Sequence, residues 1–344
     1  MKAAITDGNG NVWCQDVPMP QPNDYQCLCK ILAAATCTGT DQKHIKNGLP
    51  WKQQYPGVLG HESVGRVVKV GKKVRHIKPG DLFLRPTAVY SGQKLGEFTS
   101  LWGGFAEYGL VTDTEAWRQD EPAWQPHSYM AFQMKLPPDL LMSAADATML
   151  ITLKETASFA ASVGVRLFKS VAILGAGSVG LCMCRFAKVF GAGPLIVVAR
   201  RDVQLEYARK IGADFTVNAA DADMVPEVKR VTGGKGVDIV LDTTGDIRFL
   251  KTTVPMLAPD GKIAPYATYE FGTAIQDHIP EKLLAAGATG EVPAHAYMLD
   301  AVRLGLVRLS DYYSHRMPLS EVKRGFDLLH DKTAFKVVFD MEDF

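Results

Sequence analysis

The apolar run Val171-Ala172-Ile173-Leu174 leads into Gly175-Ala176-Gly177-Ser178-Val179-Gly180, and a second apolar stretch follows through Leu181, Cys184, Phe186 and Phe190. A glycine in the first position permits a tight strand-to-helix turn, one in the third lets the backbone approach a pyrophosphate, and one in the sixth lets helix and strand pack closely. The helix start then offers free N–H groups and the positive end of its dipole to phosphates. These features predict dinucleotide binding, with Gly175, Gly177, Ser178, Val179 and Gly180 as the cradle; a purely structural glycine turn is the plainer alternative. The next apolar run, Leu195-Ile196-Val197-Val198, ends in Ala199-Arg200-Arg201, where an NAD site would carry an Asp or Glu for the ribose 2′-hydroxyl. Arg200 and Arg201, with no carboxylate between them and the strand, suit a 2′-phosphate instead. NADP(H) is therefore favoured; Asp202, or a turn that simply solvates both arginines, leaves NAD(H) open.

Such a cradle needs a parallel, doubly wound sheet, and the chain supplies the alternation. Strands are predicted at Val171 to Leu174, Leu195 to Val198, Val237 to Leu241 and Lys262 to Pro265, with a helix through Met149, Leu150, Leu153, Thr156 and Ala160 ahead of them. The first 135 or so residues are instead rich in Gly and Pro, with short alternations such as Cys27 to Ile31 and Val64 to Val70, which predicts a mainly β unit. After about Ala294 come helices around Leu299 to Leu304 and Leu319 to Leu329 and a last strand, Phe335 to Phe339, which extend the first unit. The stretch Thr112 to Gln133 carries Trp117, Trp124, His127, Tyr129 and Phe132 and reads as too irregular for a helix. A lid or an oligomer contact is one reading, a loop packed on the domain surface the other.

The 344 residues suit two domains, and 38 Lys+Arg against 37 Asp+Glu leave no field to attract nucleic acid or an anionic membrane. A small molecule is the expected partner. No signal peptide or long apolar span is visible, so a cytoplasmic location is expected. The six cysteines form no Cys-x-x-Cys pair and read as reduced thiols.

Gly60-His61-Glu62 with Gly65, Gly71 and Val74 resembles the zinc-type alcohol dehydrogenase signature of the medium-chain dehydrogenase/reductase family. The resemblance runs through Gly39-Thr40-Asp41, Lys78 to Asp81, Gly103 to Tyr108, the glycine fingerprint, Ala208 to Asp214, Gly233 to Asp238, His315 to Leu319 and Lys336-Val337-Val338. It implies an α/β protein: a GroES-like β-rich catalytic domain from residues 1–150 and 295–344, a Rossmann domain over 151–294, and a homo-oligomer, dimer or tetramer. Polyol and sugar dehydrogenases look closest. By motif, Thr40 is the relay hydroxyl, His61 an imidazole zinc ligand and Glu62 its acidic neighbour. Thr156 falls where a residue meets the nicotinamide, and Lys336 where a basic residue meets the pyrophosphate.

The departures bear on the metal. The family's Cys two residues before the relay hydroxyl is Thr38 here, and Cys37, one place off, would point to the opposite face of a strand. The window about 24 residues before Gly175 holds Leu150, Ile151 and Thr152 in place of a third ligand. Hydroxyls bind zinc poorly, so no catalytic zinc is expected; if one is bound, His61, Glu62 and Glu155 are the candidates. Leu82 to Trp102 lacks cysteine, so the structural zinc is absent too. Without a metal, Thr40 would donate to the developing alkoxide, with charge from Lys154 or His61. Lys154 reads equally as a solvated helix residue and His61 as a core histidine. His44 is a candidate proton shuttle, its plainer reading a surface residue; Trp51, Tyr55 and Trp102 are near pocket-lining segments. Three functions stay open: an NADP(H)-dependent, zinc-independent reductase of a carbonyl or activated double bond; a zinc-dependent polyol or sugar dehydrogenase with atypical ligands; and a non-catalytic NADPH-binding protein.

Overall fold

A computed structural model describes residues 1–341, which divide into one unit of Met1–Ile151 with the chain from Tyr313 onward and a second of Thr152–Tyr312. The first unit begins with β1 (Lys2–Thr6), β2 (Val12–Asp16) and β3 (Gln26–Ala35), helix α1 (Thr38–Ile45), β4 (Gly57–Val58), β5 (Glu62–Val70), β6 (Leu82–Leu84), β7 (Lys94–Leu95), β8 (Phe98–Ser100) and β9 (Tyr108–Thr112). Helix α2 (Thr114–Asp120), β10 (Lys135–Leu136) and the long α3 (Ala144–Ser162) follow. The second unit holds β11 (Val171–Leu174), α4 (Ser178–Val189), β12 (Leu195–Ala199), α5 (Asp202–Ile211), β13 (Phe215–Asn218), α6 (Met224–Val231), β14 (Val237–Asp242), α7 (Ile247–Leu250), β15 (Leu257–Pro265) and α8 (Glu291–Arg303). The chain then returns to the first unit as β16 (His315–Pro318), α9 (Val322–His330) and β17 (Val337–Asp340).

In the first unit, one sheet runs β2-β1-β4-β8-β7 and the other β10-β6-β5-β3-β17-β16, with β9 also on β3. Strand β3 is the hub: Ala33, Ala34 and Ala35 pair with β17, the length of the strand with β5, and Gln26 to Lys30 with β9. Small side chains at Ala33–Ala35 are fully buried, so the returning strand sits close. Phe105 packs edge-on against Phe339, ring centroids 5.4 Å apart, and joins Ile31, Leu59 and Phe326 in one core. That ring fixes the approach to β5. Gly60 turns at φ +93, and a Cβ there would overlap the Phe105 ring, so the residue ahead of His61 must be glycine.

In the second unit the order is β13-β12-β11-β14-β15, all parallel, the arrangement expected of a doubly wound sheet. Every residue of β11 and β14 except Asp238 is buried, and β11 accordingly reads as an unbroken apolar run.

Three expectations need correction. The boundary expected after residue 294 lies after Tyr312, because α8 and the turn beyond it are fastened to α4: Arg185 Nε donates to the Leu306 carbonyl at 2.5 Å, and Ser178 Oγ to the Tyr312 carbonyl at 3.3 Å. The stretch Thr112 to Gln133 contains a helix, α2, capped by Asp113. Its aromatic residues are packed, Trp117 stacking on Trp124 at 4.0 Å and on Tyr25 at 4.8 Å. Lys154 is fully buried rather than solvated.

Asp113 ties α2 to the loop after β5. Its carboxylate accepts the N–H of Ala116, of Arg75 and of His76, and faces His76 Nδ1 at 3.0 Å. Burial alone would raise its pKa, but these donors outweigh burial and lower it. We expect Asp113→Ala to cost about 2 kcal/mol at pH 7 by chemical denaturation. A lowered folded pKa gives stability that is complete above the unfolded value near 4 and lost as pH falls through the folded value, so the variant and the parent should converge below about pH 4.

Candidate functional site

The glycine turn behaves as its three positions require. Gly175 adopts φ +95, and a Cβ on it would lie 2.7 Å from Thr243 Oγ1. A Cβ on Gly180 would overlap the Gly175 carbonyl oxygen, so α4 rests directly on the turn. Gly177, at an ordinary φ of −78, has nothing within 4 Å of its missing Cβ: it is the open position. No side chain caps α4, which leaves the N–H groups of Ser178 and Val179 to an anion. Ser178 is buried and Val179 half-buried.

At the end of β12, Arg200 is exposed, its guanidinium 5.3 Å from the centre of the Phe249 ring, and Arg201 is half-buried. Asp202, the first carboxylate after the strand, accepts from Asn218 Nδ2 at 2.9 Å. Thr156 is buried in α3 and its hydroxyl donates back to the Thr152 carbonyl at 2.8 Å. Lys154, also on α3, lies 3.6 Å from Glu291 Oε2, both inside the second unit. Glu155 is half-buried and accepts from the Tyr266 hydroxyl at 3.3 Å.

A second group of reactive side chains gathers in the first unit. Strand β3 ends at Ala35, and Cys37 stands at the N-cap of α1, so strand parity no longer governs where its thiol points. Ligand atoms of Cys37, His61 and Glu62 lie within 4.8 Å of one another. The Cys37 thiol also meets Thr40 Oγ1 at 3.5 Å, whereas Thr38 turns away and donates to the Phe335 carbonyl. Asp41 is fully buried one turn into α1, takes the Cys37 N–H at 2.8 Å, and faces His61 Nδ1 at 3.5 Å. Burial alone would lower the His61 pKa; Asp41 and Cys37 outweigh it and raise the pKa well above the usual value. Glu62 is ion-paired at 2.5 Å with Lys336, and both side chains are 2% exposed.

Among the sequence candidates, Cys37 was discounted on strand parity, but it belongs to this cluster; Glu155 does not. Asp41 was missed, though its place directly after Thr40 in the first turn of a helix was a usable signal. His44 is not at the surface. It is buried edge-on to Trp102 at 4.8 Å, neither ring nitrogen has a hydrogen-bond partner among the described residues, and burial pushes its pKa down to about 4. Lys336 reaches Glu62, so its role within this unit is that of a counter-charge.

The donor types suit zinc: a thiolate, an imidazole whose Nδ1 faces a carboxylate, and a second carboxylate. Tetrahedral bonds of about 2.0–2.3 Å place ligand atoms roughly 3.6 Å apart, inside the 4.8 Å limit within which these three lie.

The chain matches the description "Alcohol dehydrogenase GroES-like domain" over residues 23–121 and "Zinc-binding dehydrogenase" over 178–288. It belongs to the zinc-type medium-chain dehydrogenase family. Within the family, an L-threonine 3-dehydrogenase of Bacillus velezensis is 28% identical, covering 98% of each chain. A sorbitol dehydrogenase of Bacillus subtilis is 29% identical over 77% of this chain and 74% of its own. An alcohol dehydrogenase from Thermus sp. ATN1 superposes with a TM-score of 0.77 at 25% identity, covering 99% of each chain. The family membership makes the chain an NAD(P)-dependent oxidoreductase, which removes the non-catalytic alternative. Among the described residues no helix is long and apolar enough to cross a membrane.

Two glycine variants separate packing from cofactor contact. Gly177→Ala should leave unfolding free energy within about 1 kcal/mol of the parent while weakening dinucleotide binding at least about tenfold, since only the open face is filled. Gly180→Ala should lower both, because the helix must move off the turn. Denaturation and dinucleotide titration of the two proteins check this pattern.

Proposed function

We propose that the chain is an NADP(H)-dependent oxidoreductase that moves a hydride between the nicotinamide and a small molecule, at a carbonyl or alcohol carbon or an activated double bond. The observation that carries the cofactor choice is the end of β12: two arginines precede the first carboxylate, and that carboxylate, Asp202, is engaged by Asn218. A 2′-phosphate would then meet two charge-assisted donors ahead of that carboxylate. Contacts of Thr156 with the nicotinamide and of Lys336 with the pyrophosphate rest on the family resemblance.

Cys37, His61 and Glu62 would hold a zinc ion, in place of the metal-free site expected from the sequence. Such an ion supplies Lewis-acid polarisation of the substrate oxygen. Asp41, 3.5 Å from His61 Nδ1, is placed to orient the ring. Thr40, beside Cys37, holds the hydroxyl through which the substrate proton passes. Lys154 is matched to Glu291 inside its own unit, which favours a structural role for it, and the buried, unpartnered His44 favours a neutral wall residue over a shuttle.

A metal-free reading is favoured by one observation: Lys336 already neutralises Glu62, one of the three donors. There Thr40 would donate directly to the developing alkoxide. Treatment with a zinc chelator separates the two: turnover lost and restored by zinc supports the first reading, and undiminished turnover supports the second. A cytoplasmic homo-oligomer completes the proposal. Phe271, 76% exposed beyond the edge strand β15, offers apolar surface for association.

For the cofactor, Arg200→Ala and Arg201→Ala should each weaken NADPH about tenfold or more and leave NADH within about twofold, measured by fluorescence titration. Equal affinity of the parent for both nucleotides would contradict the NADP(H) assignment. Thr40→Val should lower kcat by about a hundredfold or more with NADPH affinity retained.

A further inference from the structure

Five non-glycine residues among those described adopt positive φ, and two of them touch His61. Arg85, at φ +59, is buried, and its Nη1 donates to the His61 carbonyl at 2.8 Å. Trp102, at φ +72, has its ring centre 4.6 Å from that of His61, the two planes inclined at 62°. Bulky side chains rarely hold such a backbone, and where they do the surrounding structure imposes it. Around Trp102 the imposing bonds are visible. Its N–H donates to Ser100 Oγ at 3.2 Å, its carbonyl accepts from Thr87 Oγ1 at 2.5 Å, and two residues on the Gly104 N–H donates to the Gly60 carbonyl at 2.6 Å. The strained segment is thereby fastened to the turn that carries His61.

The backbone of His61 is set by the Gly60 turn, by Arg85 and by the pairing of Glu62 with Ala35, so the freedom left to the residue is rotation of its imidazole. Asp41 gives that rotation a preferred direction but does not lock it. Its carboxylate is 3.5 Å from Nδ1, and that nitrogen is buried without a hydrogen-bond partner among the described residues. What stands against the ring is the indole of Trp102. The indole is itself backed by His44, edge-on at 4.8 Å and 86°, a buried imidazole for which the sequence offered no such role. Trp102 also lines a cavity of about 250 Å³ together with Thr87, Ser100, His127 and Phe132. It therefore stands between His61 and a space wide enough to take a turned imidazole.

We propose that Trp102 is the positioning residue of His61: its indole, braced by His44 on a strained backbone, fixes the ring plane in which Nδ1 faces Asp41 and the imidazole meets Cys37. The consequence for turnover rests on the zinc reading of the cluster; the placement of the ring does not. An aromatic ring edge-on to another favours one mutual orientation over the rest, and here the favoured one keeps imidazole, thiol and carboxylate together before any ion arrives. The strain at Trp102 is then part of the device, because an unstrained backbone at this position would not carry the indole to His61.

The test combines crystal structures and cobalt(II) titrations of the full chain for the parent, Trp102→Phe and Trp102→Gly. Glycine accepts positive φ without strain and removes the ring, whereas phenylalanine keeps an aromatic ring on the same backbone. Trp102→Asn, which also tolerates positive φ, replaces the glycine variant if that protein does not fold. In crystals grown without added metal, the His61 ring should hold its orientation in the parent and in Trp102→Phe. In Trp102→Gly it should be turned away from Asp41 or split between two rotamers. Cobalt(II) should bind Trp102→Gly at least about tenfold more weakly than the parent, with an altered d–d absorption envelope, and Trp102→Phe should restore both affinity and spectrum toward those of the parent. An unmoved His61 ring in Trp102→Gly, or a cobalt affinity there equal to the parent's, would overturn the proposal. A parent that binds no cobalt removes the zinc reading alone, since the ring position is read in metal-free crystals and still decides the role of Trp102.

Discussion

A buried pair of opposite charges ties the two ends of the first unit to each other. Glu62 opens β5, and Lys336 stands 274 positions later, just before β17; both side chains are 2% exposed. Burying either ion alone would cost several kcal/mol, so β5 and the returning carboxyl-terminal strand are committed to each other. The same return places the Val337 N–H on Thr36 Oγ1 and β17 on Ala33–Ala35. Everything at the Cys37–His61 cluster inherits its position from this closure. Cys37 follows β3 by two residues, His61 precedes Glu62 by one, and Gly60 and Phe105 fix the turn between.

The second unit depends on a different constraint, the space around three glycines. Gly175 and Gly180 are fixed by contacts that a Cβ would break, and Gly177 by the absence of any. Packing demand and ligand access therefore sit within six residues of one turn. Arg200 and Arg201 follow at the end of the neighbouring strand, where sheet order places a ribose.

How much of this was legible in the sequence divides by range. The glycine turn, the strand ends and the arginines are local, and local pattern predicted them. Cys37 was discounted by an alternation rule that holds only inside a strand; β3 ends at Ala35, and the helical N-cap re-aims the thiol. Lys154 read as a helix surface residue because its partner Glu291 is 137 positions away and no local signal announces it. The boundary was placed too early because no local signal ties α8 to either unit; Tyr297 of α8 lies near Phe190, and Leu306 and Tyr312 beyond it bond to Arg185 and Ser178 of α4. Helix α2 was obscured because its one aromatic residue, Trp117, stacks on Trp124 and Tyr25 outside the helix instead of joining a stripe.

Cys37 also carries the central claim, since the reading of the site as zinc-assisted hydride transfer follows from its thiol standing with His61 rather than apart from it. Zinc K-edge absorption spectroscopy of protein purified without added metal tests this most directly. The account predicts stoichiometric zinc with one sulfur neighbour at about 2.3 Å and nitrogen or oxygen neighbours at about 2.0–2.1 Å, the sulfur shell disappearing in Cys37→Ser. Zinc-free protein that turns over NADPH, or a zinc shell of nitrogen and oxygen alone, would contradict it.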